Sequence, residues 1–306
     1  MSQRSRTHDQ PESGNAMVRL KFAVKLTYDI VDPVCDFIFN IHAAQTQCQS
    51  VVDEHLVINQ PLLPSVTTDP VTGNRIMRLQ AQQGPLTIAY DATIDITHRV
   101  TAPESLFETP IATLPHDALV YLYPSRYSES DRLCRFAQRE FGHMVPGYQR
   151  VVAIQKWVQG HVTFQSGSSN GSTSAIETLT QRAGVCRDFA HLMIALCRSL
   201  NIPARFVAGV DYGADPALGP TDFHAYVEVM LSGRWYVFDA SGVSPPMGLI
   251  RIGTGRDAGD TAFATIFGRV GSYAPLVSIE AIEDMENGWV KPVHCNEVLS
   301  TADCSA

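Results

Sequence analysis

The stretch Asp222-Phe-His224-Ala-Tyr-Val-Glu-Val-Met-Leu-Ser232-Gly233-Arg-Trp-Tyr-Val-Phe-Asp239-Ala240 reads as two strands closed by a two-residue turn. β-Branched and aromatic residues run on either side of a Ser-Gly dipeptide that suits a tight reversal. With Ser232 and Gly233 in the turn, Leu231 faces Arg234, Met230 faces Trp235, and Asp239 falls opposite Tyr226. His224 is two residues from Tyr226 and so shares a face with Asp239. Diagonal neighbours of this kind have Cβ atoms about 7 Å apart, a gap an imidazole and a carboxylate can close. Trp235 and Val237 share that face, so Asp239 is expected to be part-buried and in need of a donor, which His224 can supply.

Upstream, residues 204–210 read as a further strand and residues 186–200 as a helix. Cys186, Phe189, Ala190, Met193, Cys197 and Leu200 lie on one stripe of that helix, Asn201 tolerates a left-handed C-terminus, and Pro203 forbids continuation. Ser174-Ala-Ile-Glu177 is a capping box for a short helix, and two more helices carry Leu133, Phe136, Ala137 and then Val151, Ile154, Trp157, Val158 at helical spacing. Helices followed by an antiparallel sheet give an α+β domain. Residues 19–101 alternate instead with period two, in runs 20–28, 37–41, 54–58, 75–79 and 86–96, with Asp69-Pro-Val-Thr-Gly-Asn74 as a turn. The expected order is a tail over 1–16, a small all-β domain over 17–102, a Pro-rich linker over 103–130, the α+β domain over 131–275 and a C-terminal extension over 276–306. Arg256, Asp257 and Asp260, in residues 255–260, read equally as lining the cleft after the last strand or as a polar loop leading into a short helix.

Composition bounds the function. The chain has 306 residues, 45% hydrophobic and 18% charged, enough for two packed cores. With 23 basic against 31 acidic residues, net charge −8, and no basic run, it lacks the electrostatic footprint of a nucleic-acid binder. Seven cysteines without a C-x-x-C pair argue against a disulfide framework and a zinc ribbon. The first 16 residues contain no apolar signal core and no run is long enough for a spanning helix. The expectation is therefore a cytoplasmic protein without a membrane partner.

Three residues carry chemistry together. Cys186 opens its helix, where free N–H groups and the helix dipole stabilise a thiolate. A thiol with an ordinary pKa of about 8.5 is mostly protonated near neutrality, so a neighbouring imidazole must take its proton and return one to a leaving amine. His224 fits that task, with Asp239 orienting it. Singly, each has a plainer reading: Cys186 as a core cysteine, His224 as a loop histidine, Asp239 as a strand-end carboxylate.

The blocks Gly184-Val-Cys-Arg-Asp-Phe-Ala-His191, Ile202-Pro-Ala-Arg205, Asp222-Phe-His224-Ala-Tyr-Val-Glu228 and Arg234-Trp-Tyr-Val-Phe-Asp239-Ala240 resemble, in order and spacing, the bacterial transglutaminase-like superfamily. The resemblance implies a papain-like catalytic domain over about residues 130–270 with a Cys186–His224–Asp239 triad, and the β-rich region resembles the domain that precedes it in many bacterial members. It implies a cysteine-dependent enzyme forming an acyl-thioester from a peptide or protein amide. Hydrolysis by a peptidase or amidase is slightly favoured over transamidation, and a catalytically inactive scaffold is the alternative. No cofactor and no metal are expected, since no D-x-[DN]-x-[DN]-G loop is present. Trp157 reads as core, Asp188 and His191 as structural, and Gln181 as a surface residue near a helix end. The Cys186 N–H is the expected oxyanion donor, and the β-domain is expected to supply no member of the triad.

Overall fold

The computed structural model describes residues 16–214, 221–284, 286–294 and 298–302. The tail expected over residues 1–16 lies outside the described residues as far as position 15, and Ala16 already opens the first strand. The architecture is α+β: an all-β region precedes a unit of helices packed on an antiparallel sheet.

The first sheet is organised by two long strands, β1 (Ala16–Phe39) and β4 (Arg75–Thr101), with β2 (Gln49–Ile58) and β3 (Ser65–Thr68) paired to β4. β1 and β4 are antiparallel, and the pairs Leu20↔Ile94, Phe22↔Ala92, Val24↔Tyr90, Leu26↔Ile88 and Tyr28↔Leu86 are buried along their seam. The sequence suggested two separate runs in each of these strands, because the buried parity changes. It is even up to Ile30 and odd from Cys35 through Phe37 to Phe39. The structure joins them through a register shift between Ile30 and Val34. An irregularity of this kind reverses the inward face without ending the strand. The expected turn at Asp69 is present, with the Val71 and Thr72 N–H groups each donating to Asp69 Oδ1 at 2.8 Å.

The second unit contains α1 (Ser130–Phe141), α2 (Tyr148–His161), β5 (Thr163–Phe164), α3 (Ala175–Gln181), β6 (Ala183–Gly184) and α4 (Cys186–Ser199). They are followed by β7 (Ala204–Asp211), β8 (Phe223–Leu231), β9 (Arg234–Phe238) and β10 (Leu249–Gly255). The sheet order is β10-β7-β8-β9, antiparallel throughout. α4 is buried on every side from Asp188 to Arg198, not on a single stripe. The reason is that α1, α2, α3 and the sheet all pack on it. Ser232 and Gly233 turn the β8–β9 hairpin at φ 48° and 78°, with Leu231↔Arg234 and Met230↔Trp235 in register. Among the described residues no helix is long and apolar enough to cross a membrane.

Three stretches differ from the sequence reading. Residues 256–260 make a turn that leads into a strand, not a helix: the Arg256 N–H donates to Asp260 Oδ2 at 2.9 Å. That strand, β11 (Ala264–Phe267), and its successors β12 (Val270–Ser272) and β13 (Leu276–Ile282) return to pair with β1, and β14 (Val298–Ser300) pairs with the end of β4. Residues 103–130 are not a free tether. Their 3₁₀ turns lie across the β8–β9 hairpin, where the Ser232 N–H donates to Phe107 O and the Gly233 N–H to Thr109 Oγ1, both at 2.8 Å. Cys48 is disulfide-bonded, so one cross-link exists where no framework was expected. An odd cysteine count does not exclude a single bridge.

Two side-chain amides seam the units together. Gln49 Nε2 donates to Arg251 O and Gln49 Oε1 accepts from the Arg251 N–H, both at 2.8 Å. Asn74 makes the same pair of bonds to Thr254, again at 2.8 Å. These amides stand in for a neighbouring strand along the outer edge of β10, so its backbone groups are not left unpaired.

Candidate active site

Cys186 is the first residue of α4, so its backbone N–H is one of the donors a helix leaves without an internal acceptor. Its thiol is part-exposed and lies 3.9 Å from the Phe223 carbonyl oxygen, which brings the start of β8 to the start of α4. The entry into α4 is tight. The Val185 N–H donates to Asp188 Oδ2 at 2.9 Å, and a Cβ on Gly184 would sit 2.7 Å from Asp188 Cβ, so only glycine allows this approach. Asp188, buried and paired with Arg187 at 3.2 Å, thereby caps α4.

His224 stands at the start of β8, and its Nε2 lies 3.3 Å from Asp239 Oδ1. The Cys186 thiol also acts on the imidazole, raising its pKa, and with Nε2 turned to Asp239 this leaves Nδ1 as the nitrogen for exchange with the thiol. Asp239 follows β9 directly and is held by donors the sequence did not single out. Oδ1 accepts from the Ser241 N–H at 3.0 Å and Ser241 Oγ–H at 2.7 Å. Oδ2 accepts from the Ser244 N–H at 3.0 Å and Ser244 Oγ–H at 3.4 Å. Its backbone carbonyl accepts from Gln155 Nε2 at 2.7 Å and Gln159 Nε2 at 3.2 Å, glutamines one turn apart on α2. That spacing is the one signal for them in the sequence. Nothing local marks the two serines, because the fold of the loop after β9 directs them.

The charges follow from this arrangement. Burial alone would push the His224 pKa down, yet the Asp239 charge, its hydrogen bond and the Cys186 thiol outweigh burial and hold it well above the ordinary value. Burial would push the Asp239 carboxyl up, and the His224 charge with the hydrogen bonds from His224, Ser241 and Ser244 brings it down to about 2. A buried imidazole–carboxylate pair with the remaining Asp239 lone pairs satisfied thus lies beside an accessible thiol, and the shift favours the imidazolium once His224 has taken the thiol proton.

Further along the same face, Glu228 lies fully buried between two arginines. Its Oε2 accepts from Arg205 Nε at 2.7 Å and Arg251 Nη1 at 2.9 Å, while Arg251 Nη2 bonds Oε1. Burial acts to raise this carboxyl and the two guanidiniums hold it at about 2.

The remaining candidates lie elsewhere. His191 is buried and stacked on Tyr127 at 5.0 Å, accepts from the Ala258 N–H at 3.1 Å, and is pushed down to about 3, chiefly by burial. Trp157 stacks on His161 at 3.8 Å and packs edge-on against Phe136. Gln181 is an exposed residue closing α3; the glutamine brought alongside Gly184 is Gln165, whose N–H donates to Gly184 O at 2.9 Å. Arg256 pairs with Asp260, and Asp257 accepts from the Tyr127 N–H at 3.0 Å, which pins their loop. Among the described residues no group of three or more His, Cys, Asp and Glu side chains gathers as a metal site would.

Residues 136–240 match the transglutaminase-like superfamily core, and residues 18–117 match the bacterial transglutaminase N-terminal domain. A solved structure from Cytophaga hutchinsonii, described as a "putative cysteine protease", is 38% identical with a TM-score of 0.86, covering 94% of this chain and 98% of its own. The chain belongs to the transglutaminase-like superfamily. The chain is also similar to the uncharacterized proteins ML0607 of Mycobacterium leprae, 33% identical over 116 residues, and Rv2569c of Mycobacterium tuberculosis, 34% identical over 109 residues. The matches cover 37% and 32% of this chain and span only 42% and 35% of those relatives' lengths. In the transglutaminase-like unit described here, Cys186, His224 and Asp239 come from the start of α4, the start of β8 and the end of β9.

Proposed function

We propose that this transglutaminase-like protein is a cysteine-dependent amide-bond enzyme in which Cys186 is the nucleophile, His224 the general base and acid, and Asp239 the residue that orients His224. The observation that carries this reading is the buried His224 between an accessible Cys186 thiol and an Asp239 held by Ser241 and Ser244. An imidazole serving only to fill a core would not require a carboxylate fixed by four donors.

In the reaction, His224 Nδ1 takes the thiol proton and Cys186 Sγ attacks the amide carbonyl. The oxyanion forms near the Cys186 N–H at the positive end of α4. As the tetrahedral adduct collapses, the C–N bond breaks and the His224 proton passes to the leaving amine, leaving an acyl-thioester. His224 then takes a proton from the acceptor, which attacks the thioester and releases the acyl group as the thiol is restored. Water as acceptor gives a peptidase or amidase, and a primary amine gives a transamidase. We favour water, in keeping with the description of the Cytophaga hutchinsonii neighbour.

Incubation of the protein with a peptide-amide library, with and without a primary amine, tests this by mass spectrometry. The expected result is new carboxylate termini that vanish in Cys186→Ala. Amine adducts in place of acids would make it a transamidase, and no Cys186-dependent product in either arm would support a binding scaffold instead.

A further inference from the structure

A third carboxyl sits on the His224 face and takes no part in the chemistry above. Gly209 of β7 pairs with His224, so Asp211, two residues on, is a diagonal neighbour of His224 on the same face. Asp239 approaches His224 from β9 on the opposite side. Glycine at position 209 follows from close packing, since a Cβ there would lie 2.3 Å from Ile250 O and 3.1 Å from Tyr226 Cε1. Asp211 is only 6% exposed, and its Oδ2 is buried without a hydrogen-bond partner. The Ser244 side chain acts on the Asp211 carboxyl, lowering its pKa against burial, and the same hydroxyl lies 3.4 Å from Asp239 Oδ2.

We propose that Asp211 is a positioning residue that acts through Ser244, fixing the direction of its hydroxyl and through it the seat of Asp239 against His224. The proposal rests on the roles given above to Cys186, His224 and Asp239. One serine hydroxyl has one proton and cannot serve two ionised carboxylates at once. A neutral Asp211 removes the conflict: its O–H donates to Ser244 Oγ, and the Ser244 Oγ–H is directed to Asp239 Oδ2. Asp211 Oδ2 is then a carbonyl oxygen, for which a missing partner costs less than it would for a carboxylate oxygen. Burial favours this state by raising the Asp211 carboxyl, His224 opposes it, and the Asp239 charge reinforces it. The other ionisable groups around this face are Asp222 ahead of β8, Tyr226, and the Arg251–Glu228 pair across from β7.

The test is the rate of Cys186 alkylation by iodoacetamide at about pH 6, followed site by site in the full chain by mass spectrometry. Asp211→Ala should slow Cys186 about tenfold, and Asp211→Asn, which keeps a donor without charge, should recover the rate to within about twofold of the parent. The double variant Asp211→Ala/Ser244→Ala should be no slower than Ser244→Ala alone, because the effect passes through Ser244. An unaffected Asp211→Ala, an Asp211→Asn as slow as Asp211→Ala, or additive losses would each overturn the proposal. Should Asp211→Ala fail to fold, the NMR titration midpoint of His224 in Asp211→Asn decides: unchanged supports a neutral Asp211, and a fall of about one pH unit or more refutes it. Labelling needs no peptide substrate, so absent turnover in the library experiment would sink the enzyme reading without touching this result.

Discussion

The two sheets use the same strand-forming residues but treat buried polar groups in opposite ways. Along the β1–β4 seam the buried pairs are apolar, as in Leu20↔Ile94 and Leu26↔Ile88, and the ion pairs Arg19–Asp95 and Arg75–Glu54 remain partly exposed. On the His224 face of the second sheet, His224, Asp239, Asp211, Glu228 and Arg251 are all buried. An apolar seam gains stability from area alone, whereas each buried charge is tolerable only with its partners in place. The first sheet is therefore scaffold, and the second accepts desolvation costs in order to fix charges around Cys186.

The largest effect should separate chemistry from folding. Cys186→Ala is expected to lower kcat/KM by at least about 10³-fold, or ~4 kcal/mol of transition-state stabilisation, with an unchanged urea midpoint. Phe22→Ala in the first sheet should do the reverse, costing ~3–5 kcal/mol of stability while activity per folded molecule is retained. Equal losses of both quantities in both variants would erase the contrast.

Glu228→Gln should come next, at ~3–5 kcal/mol in urea unfolding at neutral pH, because two buried guanidiniums lose their counter-charge. The same carboxyl sets an acid dependence. Its pKa lies near 2 in the fold against an ordinary value of 4.5, so its contribution is fully present above about pH 4.5 and is lost as pH falls through about 2. That is worth on the order of 3 kcal/mol, and Glu228→Gln should flatten this part of the stability–pH curve. A parallel acid slope in the variant would place the titration elsewhere. The smallest effect belongs to Ser241→Ala. It removes one hydroxyl donor from Asp239 but leaves the Ser241 N–H, so kcat should fall about three- to tenfold with little change in KM.

How much of this was legible follows the range of the interactions. The hairpin register could be counted from Ser232-Gly233, and it places His224 and Asp239 on one face, where the structure also has them. The short helix capped by Ser174 and Glu177 is equally local. The continuous β1 and β4 strands were hidden because a register shift flips parity halfway along each. β11, β12 and β13 escaped because their partner, β1, lies more than 200 residues earlier in the chain. Among the supports of Asp239, Gln155 was illegible for the same reason, since it reaches the β9 end from α2, whereas Ser241 and Ser244 lie two and five residues on and become donors through the conformation of the loop after β9.

The account turns on whether His224 activates Cys186, and the exposed Cys134 supplies an internal control. Iodoacetamide labelling at about pH 6, well under the ordinary thiol value of roughly 8.5, should alkylate Cys186 ahead of exposed Cys134 and buried Cys197. His224→Ala should abolish that lead, and Asp239→Ala should reduce it less, because Asp239 acts through His224. If Cys186 labels no faster than Cys134 in the parent protein, His224 does not activate it and the amide-bond enzyme reading is contradicted.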